Sequence, residues 1–138
     1  GLSADERAAL IAAGDGSPGR ALRFAGLDIA TIDTTLDRLM TEGDPTNAVR
    51  NGFARTMATK AAQARYEAFL DRAPSRFAAA ARGRHGAALN DAIAAWERVR
   101  RLAAGAVRLS LDPQATVFEI AGIAAGLAPS AGSVKDRA

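Results

Sequence analysis

The sequence predicts an all-α protein, a helical bundle of five or six helices preceded by a short two-helix piece. Alanine, the strongest helix former, supplies 35 of the 138 residues, and the β-branched residues that favour strands are sparse. Apolar side chains recur three and four positions apart, the spacing of one helix face. At this length one ordinary core is expected rather than two.

The elements follow in chain order. Ser3 and Glu6 have the spacing of a capping box and open a first helix over 4–13, which Gly14 ends. Ser17 can cap, and Pro18 can begin, a second short helix that closes near Gly26. The turn from Gly16 to Leu22 has the look of half a phosphate loop, but no lysine follows it, so it reads as a capped turn. Leu27, Ile29, Ile32, Leu36, Leu39 and Met40 form the apolar face of a helix from Asp28 to Gly43. Asp33 and Asp37 share one face of it, beside Arg38; paired carboxylates can do acid–base work, but here they read as a solvated surface.

Asp44-Pro45-Thr46 opens the next helix, and Asn51-Gly52 predicts a break or bend in it. Phe53, Met57, Ala61, Ala64, Ala68 and Phe69, with Tyr66 and Leu70 beside them, then make the longest apolar track. Pro74 is expected to kink or end that helix, which resumes over Phe77 to Ala81. Arg82 to Gly86 reads as a flexible basic connector, with His85 on its surface.

The clearest helical pattern lies between Leu89 and Pro113 and carries the sole tryptophan. With Trp96 as the centre of the wheel, Leu89, Ala92, Ile93, Val99, Ala103 and Val107 share its stripe, so Leu89, Ile93, Trp96, Val99 and Val107 are the expected core. Arg98, Arg101 and Arg108 fall opposite and Arg100 at the border, which makes these four the candidate interface cations. The helix should end near Leu111, because Pro113 disfavours helical backbone at Asp112 and itself suits a first helical turn. Val117, Phe118, Ile120, Ala121, Ala124 and Leu127 mark the last helix, and the small polar residues from Pro129 onward read as a frayed tail.

Composition narrows the function classes. With no cysteine there are no disulfides or thiolate metal sites, and the single histidine lacks partners for a catalytic triad or a histidine metal site. No constellation of catalytic groups is recognisable, so neither an enzyme nor a cofactor is expected. The net charge of +3 and pI near 10.2 come almost wholly from arginine, which also suits a free-standing helical nucleic-acid binder, although such an excess is common on solvated helix faces. No apolar run reaches the length of a membrane span and no signal-peptide pattern opens the chain, so a soluble, cytoplasmic protein is expected. The start at Gly1-Leu2-Ser3, without methionine, suggests a fragment of a longer protein.

Two stretches together resemble a known family. Gly14 to Ala25, GDGSPGRALRFA, is similar to the lid-domain segment of clamp-loader ATPases. The stretch from Trp96 to Pro113, WERVRRLAAGAVRLSLDP, with the helix after it, resembles the end of the delta-prime type of subunit in the bacterial DNA polymerase III clamp loader. The resemblance runs from Gly1 to about Leu127. It implies that residues 1–26 are the C-terminal part of an AAA+ lid domain, 27–128 a helical collar domain that mediates oligomerisation, and 129–138 a flexible tail. In active members an arginine that senses the nucleotide phosphates follows glycine, Ser or Asp, and an apolar residue. Gly16, Ser17 and Pro18 match, but the sensor position falls on Gly19, and Arg20 comes one place late, a rotation of about 100° on a helix.

The resemblance therefore implies a stator. Such a subunit does no chemistry; its collar assembles with the delta and gamma/tau subunits into the ring that loads the sliding clamp onto primed DNA, and it meets DNA weakly or indirectly. The chain also lacks the lysine of a phosphate cradle: Lys60 falls within an expected helix and Lys135 in the tail. A calorimetric titration of the purified chain with ATP and magnesium should register no binding, and tight binding would defeat the stator expectation.

Overall fold

Residues 29–129 are described by a computed structural model, and among them the chain is all-α. The elements are α1 (Ile29–Glu42), α2 (Ala48–Met57), a 3-10 turn (Lys60–Ala62), α3 (Gln63–Arg82), α4 (Gly86–Arg108) and α5 (Pro113–Ala125). The capping box at Ser3, the Gly16 to Arg20 segment, the boundary near Gly26 and the tail beyond Pro129 lie outside the described residues.

The bundle is built around α5. Glu119 is its only charged residue, and apolar side chains lie on every side, so the helix must be enclosed rather than laid on a surface. All four other helices pack against it. Val117, Ile120, Ala121 and Ala124 are buried, and they meet a core that Ile32, Leu36 and Leu39 of α1, Met57 of α2, and Phe69 and Phe77 of α3 complete. Asp112 caps α5 through its carboxylate, which accepts the Ala115 amide at 2.8 Å, so the expected restart at Asp112-Pro113 is present.

The Asn51-Gly52 pair does not break the helix, since α2 runs through it. The Asp44 carboxylate holds the start of that helix by accepting the Val49 and Arg50 amides at 3.2 and 2.9 Å, and burial of Phe53 and Met57 holds its end. The break falls later, where the Thr59 hydroxyl accepts the Ala62 amide and starts the 3-10 turn, so the apolar track from Phe53 to Leu70 is two elements and not one.

Pro74 neither ends nor interrupts α3. Two ion pairs straddle it: Arg72 donates to both oxygens of Asp33 at 2.9 and 2.5 Å, and Arg76 to both oxygens of Asp37 at 3.1 and 2.6 Å. The two carboxylates expected to be solvated are therefore rungs between α1 and α3. Both rungs join residues 39 apart, so the two helices run in the same direction where they meet. The hydrogen bond to Asp37, with its charge and that of Asp33, holds the Arg76 guanidinium above its ordinary pKa despite partial burial.

Arg84 corrects the reading of 82–86 as a loose connector. Its guanidinium donates to the carbonyls of Leu127 at 2.7 Å and Met40 at 3.2 Å, placing positive charge at the C-terminal ends of α1 and α5. Arg50 makes a second clasp, between α2 and α5. It stacks on the Phe118 ring at 3.9 Å, donates to the Phe118 carbonyl at 3.4 and 3.3 Å, and reaches the Asn47 side chain at 3.0 Å. Gly122 leaves the room for it, since a Cβ there would lie 2.6 Å from the guanidinium carbon.

The two rungs differ in burial, with side-chain exposures of 4% and 14% for Arg72 and Asp33 against 26% and 45% for Arg76 and Asp37. Removing one partner of a buried pair strands the other charge. In urea denaturation, Arg72→Ala should therefore cost about 3 kcal/mol and Arg76→Ala about 1 kcal/mol or less.

Candidate interaction surface

The inner face of α4 is lined by small side chains. Ala92, Ala95, Val99 and Ala106 are buried, which lets α4 settle closely on α3, whose Phe69 and Phe77 supply the bulk. The centre of this face lies roughly 70° around the helix from Trp96. The expected core is corrected accordingly. Val99 is buried, Leu89 and Trp96 are only partly so, and Ile93 and Val107 stand 40% and 66% exposed. A tryptophan is drawn to a core by its area, but here the alanines, which permit the closest helix approach, decide which side turns inward.

The outward stripe of Leu89, Ile93, Trp96, Arg100, Ala104 and Val107 repeats every three or four residues along α4. The Arg100 guanidinium sits over the Trp96 ring at 5.1 Å, covering part of the indole with a stem that is itself largely apolar. The stripe continues past the helix end. Helical structure stops at Arg108, short of the expected Leu111, because Ser110 takes a left-handed conformation (φ 51°). The Ser110 amide then returns to the Val107 carbonyl at 3.3 Å, and the Leu111 amide to that of Ala106 at 3.0 Å. That reversal leaves Leu109 and Leu111 at the surface. Among the described residues, every exposed large hydrophobic side chain (Ile93, Val107, Leu109 and Leu111) belongs to α4 or its terminal turn.

The four arginines singled out by the sequence part company. Arg98 bridges to Glu119 of α5 at 3.0 Å, an exposed pair that helps seat α4. Arg100 packs on Trp96 within the stripe. Arg101 and Arg108 are exposed and have no ion-pair partner among the described residues. The structure thus brings Arg100 into one surface with Ile93 and Val107 and places Arg98 on the opposite side of α4, against α5. Leu109 and Leu111 were missed as members of that surface; their signal is two leucines beside an Asp-Pro restart, where no helix can bury them.

His85 precedes α4 and is exposed, and no group of metal-ligating side chains occurs among the described residues. No helix among them is long and apolar enough to cross a membrane. Comparison with known proteins finds no family model that matches the chain, no similar curated protein and no similar solved structure.

Partial exposure sets the energetic weight of Trp96. Trp96→Ala should cost about 1–2 kcal/mol, against about 3–5 kcal/mol for Phe77→Ala in the sealed core. Denaturant melts of the two variants compare them directly, and acrylamide should quench the lone indole readily.

Proposed function

We propose that the chain is a non-catalytic assembly module that uses the α4 stripe to seat a neighbouring protein, in the manner of a clamp-loader collar. One observation carries the reading: among the described residues, the large apolar side chains left at the surface are gathered on a single helix and its terminal turn. Scattered apolar residues are ordinary on a monomer's surface, whereas a gathered set rimmed by charge is the anatomy of a protein interface. Trp96 under Arg100 is the type of anchor on which interface energy concentrates.

The identity of the neighbour rests on the sequence resemblance. On that reading the chain is the collar of a stator subunit in the bacterial DNA polymerase III clamp loader, and the delta and gamma/tau subunits are its partners. The assembly would act in the cytoplasm, and the module's part in loading the sliding clamp would be to hold its neighbours in place. Nucleotide and metal chemistry would belong to other subunits, and DNA would be met at most indirectly.

Mixing the purified chain with delta and with gamma/tau subunits, followed by gel filtration, tests the proposal. The expected result is co-elution with at least one of them, accompanied by a blue shift of Trp96 fluorescence. Val107→Glu should abolish co-elution while changing the melting free energy by no more than about 0.5 kcal/mol, as for other exposed positions. Elution apart from both subunits would overturn the collar assignment.

A further inference from the structure

α1 and α2 each pack on α5, yet they make little direct contact with each other. A cleft of about 240 Å³ lies between them and reaches the first turn of α3. Its floor is apolar, formed by Ile32, Phe53 and Met57, and the Phe53 ring is held edge-on against Phe69 with centroids 5.4 Å apart. Four polar side chains line it: Thr31 and Thr35, one turn apart on α1, Thr56 on α2, and Arg65 on α3.

Three of these four polar groups are uncommitted. Thr41, Thr56 and Thr116 each donate to a backbone carbonyl of their own helix region, whereas Thr31, Thr35 and Arg65 have no hydrogen-bond or ion-pair partner among the described residues. Arg65 is half-buried, and no carboxylate lines the cleft to neutralise it. A guanidinium offers a planar fork of donors that matches a carboxylate with two parallel hydrogen bonds. An apolar floor with a few convergent polar groups is the usual make-up of a ligand site, and this volume falls below the roughly 300–1,000 Å³ of sites for drug-sized molecules. The ligand is correspondingly small.

We infer that the α1–α2 cleft is a binding site for a small carboxylic acid with a compact apolar body. Arg65 takes the carboxylate, the Thr31 and Thr35 hydroxyls donate to it or to its edge, and the body lies on Ile32, Phe53 and Met57. Gly52 supplies the means to close the site. A Cβ built on it meets nothing within 4 Å, so a leucine there projects into the cleft without disturbing the packed interior and strengthens the helix.

The test is an NMR titration of the whole chain with 4-phenylbutyrate, with 4-phenylbutanol as the uncharged control. The acid should give saturable shifts centred on Thr31, Thr35 and Met57, and the alcohol should bind about tenfold more weakly for want of the charge-assisted hydrogen bonds. Arg65→Gln should weaken the acid by a similar factor and leave the alcohol unchanged, and Gly52→Leu should abolish binding of both while the chain still melts cooperatively. Absence of saturable shifts, shifts centred on the α4 stripe, equal affinity for acid and alcohol, or indifference to both substitutions would each overturn the proposal. None of these outcomes bears on subunit co-elution, so the inference stands or falls apart from the assembly reading.

Discussion

Between Pro113 and Ala125 the chain offers a single charged side chain, Glu119, and no polar face to turn toward water. Exposing such a helix would leave apolar area solvated at about 25 cal/mol for each Å², so the remaining helices are arranged to cover it. α1 and α2 enclose it along one side, α4 supports Glu119 through Arg98, and α3 fills the gap with phenylalanines. The clasps at Arg50 and Arg84 are best understood as fittings on this central rod: each fastens another element to a carbonyl in α5 or just beyond its end.

What could be read in the sequence follows from the range of each signal. Helical periodicity is local, and α1, α4 and α5 fall close to where the apolar spacing puts them. The Asp112-Pro113 restart was equally legible, because cap and proline act within a few residues. The rotation of α4 was not. It depends on whether large or small side chains meet α3, and tryptophan's area points the wrong way in a helix whose alanines make the tighter contact. The rungs were half visible: Asp33 and Asp37, and Arg72 and Arg76, share a four-residue spacing, but their pairing spans 39 positions and needs the parallel arrangement of α1 and α3.

Folding also divides the positive charge into two populations. Arg50, Arg72, Arg76 and Arg84 spend their donors on ring, carboxylate and carbonyl partners inside the bundle. Arg55, Lys60, Arg82, Arg101 and Arg108 are exposed without such partners among the described residues, and Arg100 lies along the apolar stripe.

The double rung between α1 and α3 makes their contact discrete along the axis as well as adhesive. Sliding α1 by one turn, about 5.4 Å, would bring one aspartate opposite the wrong arginine and leave one member of each pair facing none. Smaller displacements would break the two-pronged geometry of both. The helices are thus indexed like gear teeth with one full meshing position, and a load applied through α4 to α3 would reach α1 without slippage.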